Sequence, residues 1–152
     1  MTLNKHYQLF IMQEPVFNHS TPVQIRFNDI DGLGHVNNTI IQEYFDLGRM
    51  YYMNEVFGKS IFKNDETLIV VNINTDFLSP IYLNDTMEVK TTIVGLGNKS
   101  LKMIQQIVCN ASQTVKATCK SVMVGFNKST EEGLELLPEW RSAISKFEGK
   151  TF

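Results

Sequence analysis

Between Arg26 and Asn38 the chain crowds two carboxylates, two glycines, a histidine and three asparagines into one short run, a mixture suited to chemistry at a carbonyl group. Asp31 is followed by Gly32 and Gly34, which lack a Cβ and let a ligand approach the backbone closely. Asn37 or Asn38 can cap a helix, whose first turn then offers unpaired N–H groups and the positive end of the helix dipole. Such amides can hold an anion, including the oxyanion formed when a carbonyl is attacked. A carboxylate a few residues upstream can reach the same carbon, as nucleophile or as base for a water. Asp31 beside glycine is also an ordinary turn former, and from the turn alone that reading stands beside the catalytic one. Asp29 fits better as an acceptor for backbone amides.

These residues resemble the hotdog-fold acyl-CoA thioesterases of the 4-hydroxybenzoyl-CoA thioesterase type. That family carries an arginine, an aromatic, an Asp-x-Asp pair, small residues, a glycine, then His-Val-Asn-Asn or a variant and an aromatic-rich helix. Here Arg26 to Asn38 match, followed by Tyr44, Phe45, Arg49 and Tyr52; Ile40 stands where family helices often place an aromatic. The resemblance implies an α+β hotdog fold, a curved antiparallel sheet wrapped around one long central helix. It points to Asp31 as the catalytic carboxylate and to the backbone N–H of Asn38 as the oxyanion donor, with Gly34, His35 and Asn37 bordering the thioester. Lys99 and Ser100, in the Gly97 to Ser100 turn, fall where the family meets the CoA phosphates; the other reading of Lys99 is a surface lysine in a hairpin. No cofactor and no metal is implied, the thioester being the substrate. Since hotdog sites lie between subunits, a homodimer or homotetramer is expected.

Rivals to this reading also have residues to point to. Some hotdog thioesterases place the carboxylate on the helix, which makes Glu43 an alternative to Asp31; its plainer role is a solvent-facing acid, as Asp46 is a partner for Arg49 three residues on. A hotdog hydratase or dehydratase would need His35 as a second acid/base group. An acyl carrier protein could replace CoA as the carrier, and a non-enzymatic acyl-CoA-binding protein would keep the pocket without needing Asp31. A lone His35 is no zinc site, and there is no Gly-x-Ser-x-Gly run or glycine-rich phosphate loop.

Composition narrows the classes further. The 152 residues fit one domain, expected to span 21–152 after a tail or loose strand over 1–20. With 43% hydrophobic and 20% charged residues, neither disorder nor membrane spanning is expected. A formal charge of -2 offers no basic footprint for nucleic acid. Cys109 and Cys119 are too few for a disulfide framework and read as core residues, able to face each other across a hairpin. The apolar run Leu9 to Met12 is too short for a signal peptide, so a cytoplasmic location is expected, and the five Asn-x-Ser/Thr sequons are discounted.

The elements that must position the site follow from periodicity. Val23, Ile25 and Phe27 alternate with Gln24 and Arg26, predicting a strand over Pro22 to Phe27. From about Asn37 to Phe57 apolar residues recur at three- and four-residue spacing, widened by Leu47, Met50 and Met53, so the helix is expected to be buried on most sides and to end at Gly58. Four strands follow, Thr67 to Leu78, Asp85 to Leu96, Leu101 to Val108 and Val115 to Phe126, read as an antiparallel meander. A polar stretch from Asn127 leads to a C-terminal helix after Pro138.

Overall fold

Asn37 starts the long helix and Gly58 stops it. In the computed structural model, which describes residues 14–59 and 61–152, α1 spans Asn38–Phe57, the Asn37 side chain accepting from the Thr39 amide at 2.8 Å. Gly58 ends it at φ 80°, where a side chain would be strained. Around α1 bends a sheet of β1 (His19–Val23), β2 (Glu66–Phe77), β3 (Met87–Leu96), β4 (Ser100–Cys109), β5 (Val115–Asn127) and β6 (Glu132–Leu134). A second helix, α2 (Pro138–Glu148), follows. The expected tail reading of residues 1–13, with its Leu9 to Met12 run, lies outside the described residues.

All ladders are antiparallel, but the strands do not form the expected simple meander. The order across the sheet is β1, β3, β4, β5, β2, with β6 on the end of β5. Short turns join β3 to β4 and β4 to β5, closed by the Gly97 N–H to Ser100 at 2.7 Å and the Cys109 N–H to Thr114 at 2.9 Å. The connection 78–86 carries the chain across the sheet from the β2 edge, where β2 pairs with β5, to β3 beside the other edge strand β1. β6 falls within the stretch read as merely polar. Cys109 and Cys119 are buried free thiols, but they stand opposite Met87 and Gln105, not each other.

The first strand is displaced upstream of its expected place. It pairs with β3 from His19 opposite Thr91 to Val23 opposite Met87, and the chain then leaves the ladder. The Asp29 carboxylate takes the Arg26 N–H at 2.8 Å, fixing a one-turn 3-10 helix at Phe27–Asp29 and leaving Phe27 79% exposed.

Nor is α1 buried on most sides. It packs on β1, β3 and β4, and only slightly on β2. Met50 remains exposed and lines a groove between the helix and β2, whereas the exposed Tyr51 faces the β1 side. The core divides into a cluster around Phe45, Ile81, Met87 and Ile107 at the N-terminal end of α1, and another around Tyr52, Ile93, Met103 and Trp140 at its far end. At that far end the Glu148 carboxylate accepts from Tyr52, Thr92 and the Ile93 amide, fastening α2 to α1 and β3.

Close approach of α1 to the sheet depends on Gly48. A Cβ there would stand 2.5 Å from Val89 Cγ1 and 3.2 Å from the buried Gln105 amide. Gly48→Ala should therefore lower stability in urea unfolding by about 1–3 kcal/mol, the cost of overpacking a filled core, despite a helix-propensity gain of about 1 kcal/mol.

Candidate active site

A miniature hairpin presents the motif residues. The Asn37 N–H donates to the Asp29 carbonyl at 2.9 Å, Ile30 and Val36 form a bridge, and the Asp31 N–H donates to the His35 carbonyl at 3.0 Å. Gly34 stands at φ 84°, a conformation that favours glycine, and its N–H closes the tip on the Asp31 carbonyl at 3.0 Å. The Val36 amide ties the hairpin to the Ile81 carbonyl at 2.8 Å. Asp31, Gly34, His35, Asn37 and Asn38 are thereby held on one rigid loop that runs straight into α1.

Asp29 is the anchor of that loop. Its side chain is 2% exposed and accepts from the Tyr44 hydroxyl at 2.6 Å, the Arg26 amide at 2.8 Å and the Arg26 guanidinium at 2.9 Å. Burial alone would push the carboxyl up, but the Tyr44 and Arg26 donors outweigh it and hold Asp29 below the usual carboxylate range. Burial, together with Asp29 itself, pushes the Tyr44 hydroxyl well up, so it stays a donor.

Asp31 has a different setting. It is half-buried, and its Oδ1 accepts the Leu33 N–H at 2.8 Å, the bond of an Asx turn. Its second oxygen has no partner among the described residues. His35 and Asn38, but not Asp31, line a cavity of about 280 Å³ with Val36, Ile41, Phe77, Leu78, Ser79 and Pro80. The Asn38 amide is in the first turn of α1, where no helical carbonyl precedes it. An acyl carbonyl in this cavity would meet a helix N-terminus. The Ser79 hydroxyl is buried there without a partner; sequence reading took Ser79-Pro80 only as the end of a strand, and nothing local in the sequence tells that this corner folds against His35.

Lys99 and Ser100 are not brought to this corner within one chain. Ser100 opens β4 and Cys109 closes it. Cys109 belongs to the core cluster around the hairpin, whereas Leu101 belongs to the far one, roughly 30 Å away at strand rise. Glu43 is exposed on α1, and Asp46 meets Arg49 at 2.6 Å, as the spacing implies. Among the described residues no group of histidines, cysteines and acids could hold a metal ion, and no helix is long and apolar enough to cross a membrane.

Comparison with known proteins gives this geometry a context. The thioesterase-like superfamily matches over residues 25–145. No curated protein matches the chain. Among solved structures, a thioesterase from Thermus thermophilus, complexed with coenzyme A and Zn, is 29% identical with a TM-score of 0.80, over 90% of this chain and 98% of that one. A predicted thioesterase from Bacillus stearothermophilus is 26% identical with a TM-score of 0.75, over 84% and 94%. A 1,4-dihydroxy-2-naphthoyl-CoA thioesterase from Synechocystis, 20% identical with a TM-score of 0.72 over 82% and 93%, shares the fold.

The Asp29 anchor has a pH signature. Because its folded pKa lies below the unfolded one, its contribution is fully present above the ordinary aspartate value of about 3.9 and fades as pH falls through the folded value. Asp29→Asn should lose about 1–3 kcal/mol in urea unfolding at neutral pH, with the gap to the wild type narrowing in titrations carried down to about pH 3.

Proposed function

Because the chain belongs to the thioesterase-like superfamily and is a thioester hydrolase, we propose that it hydrolyses an acyl-CoA thioester with Asp31 as its catalytic carboxylate. The observation that carries the reading is the cavity lined by His35 and Asn38 at the start of α1; Asp31 is on the same hairpin as His35, outside that lining. The thioester carbonyl enters with its oxygen toward the Asn38 N–H. Asp31 then acts on the carbonyl carbon, either by taking a proton from an attacking water or by attacking directly, with water completing the second case. As the carbon becomes tetrahedral, charge moves onto the oxygen, where the helix N-terminus stabilises it. Collapse breaks the C–S bond, the thiolate leaves and is protonated, and the acid is released. Gly34, His35 and Asn37 shape the loop around the thioester, and the chemistry calls on no cofactor and no metal.

The protein works as a homo-oligomer built on β2. Among the described residues this edge strand has one unpaired side, and Val71, Ile73 and Phe77 are 54%, 41% and 46% exposed. A long apolar edge of this kind pairs readily with another chain. A second copy placed by a two-fold axis through β2 sets opposite ends of the two chains side by side. That arrangement brings one copy's Lys99 and Ser100 toward the other copy's hairpin, where Lys99 supplies a point charge for a CoA phosphate. The bound CoA of the Thermus thermophilus structure supports CoA as the carrier.

Thiol release from acyl-CoAs tests the activity. Asp31→Asn should lose at least about two orders of magnitude in kcat with its urea midpoint unchanged; retained turnover would leave the carboxylate mechanism without support. Ile73→Lys, which puts a charge on the β2 edge, should turn the dimer into a monomer in sedimentation experiments and depress turnover with it.

A further inference from the structure

The groove between α1 and β2 is divided into two compartments. At the N-terminal end of α1 lies the cavity of the proposed active site, with Ile41 on the helix side and Phe77 on the strand side. Further along, about 16 Å from Asn38 at the rise of a helix, Asp46, Arg49 and Met50 face Phe62, Leu68, Val70 and Met123 across a second, mostly apolar cavity of about 430 Å³. Between the two, the Thr75 hydroxyl donates to Gln42 Oε1 at 2.8 Å, spanning the groove from strand to helix. Its position follows from the elements themselves. Gln42 is the residue after Ile41 on α1, and Thr75 is the neighbour of Phe77 on the same face of β2, on the side toward Val70.

This crossing is a polar link between the two cavities, whose linings also carry Ser79, Asp46 and Arg49. Among the described residues Gln42 Nε2 is buried without a partner, as are Arg49 Nε, at the second cavity, and the Ser121 hydroxyl, opposite Ile73 on β5. A buried donor left unpaired costs roughly 1–3 kcal/mol, so an apolar residue at position 42 would serve packing better. We infer that Gln42, held by Thr75, is a specificity-determining residue that confines the acyl group to the first compartment, making short or single-ring acyl thioesters the substrate class. The inference rests on the proposed thioesterase site and deepens it. A longer chain would have to break the Gln42–Thr75 bond and push an unpaired amide against its methylenes before reaching the apolar cavity behind.

Acyl-CoAs of increasing length test this, with butyryl-, benzoyl-, octanoyl-, dodecanoyl- and palmitoyl-CoA as probes on the full chain. The wild type should prefer butyryl- or benzoyl-CoA. Gln42→Ala, which opens the barrier, should raise the dodecanoyl-to-butyryl ratio of kcat/KM about tenfold or more, the scale at which a pocket discriminates by methylenes. Thr75→Val keeps the volume and removes only the tether, and should move the ratio in the same direction by less. An unchanged ratio in both variants, or a wild type that already prefers dodecanoyl-CoA, would overturn the barrier while leaving the hydrolase reading intact. If the wild type hydrolyses none of the probes, the acyl-CoA reading itself fails; the barrier is then decided by Kd values for S-butyl- and S-dodecyl-CoA thioethers, where Gln42→Ala must show the same shift toward the longer ligand.

Discussion

The site end of the molecule depends on one buried carboxylate. Asp29 brings together the end of β1, through the Arg26 amide and guanidinium, and the second turn of α1, through the Tyr44 hydroxyl, while its own carbonyl receives the amide of the helix cap Asn37. Three pieces of chain that would otherwise move separately thus share one residue. A buried charge is costly unless its lone pairs are satisfied, and here the donors are local enough to be placed by the backbone itself. The hairpin that carries the half-buried Asp31 is held in place by the residue two positions before it.

Much of this was legible in the sequence, for reasons that can be traced to particular residues. The helix boundaries were visible because Asn37 acts through a side-chain bond to the Thr39 amide and Gly58 through its own backbone conformation, neither of which needs a distant partner. The strands β3, β4 and β5 were visible because short turns carry their chemistry in the turn itself. What failed to show was anything fixed by distant pairing. Ile25 and Phe27 alternate like strand residues, yet the Asp29 side chain competes for the Arg26 amide and ends the ladder. The transfer of β2 to the far edge leaves no mark on β2, since an edge strand and a central one share the same alternation. The motif pointed to His35 and Asn38, which line the cavity, but not to Ser79 or to the Gln42–Thr75 crossing, which arise only when β2 and α1 meet.

The two core clusters divide the labour along α1. Trp140, Tyr52 and the Glu148 carboxylate fasten the far end of the helix, and Gly48 lets its middle lie close on β3. The N-terminal turn is thereby presented by a helix already fixed elsewhere. A site placed on such a rigid element holds its amides in position before the ligand arrives, and preorganised donors of this kind do most for catalysis.

The register of β2 against β5 slips between Val70 and Asn72, a bulge that puts Val71 out of step with both halves of the strand. Leu68 and Val70 face the far core, and Ile73, Thr75 and Phe77 face the groove, although the two sets differ in parity. The strand is in effect two phrases joined by an unaccented beat. Each half can change its inward residues to suit its own surroundings without rephasing the other, so the part of β2 that borders the cavity at the start of α1 can vary while the part that holds the core stays constant.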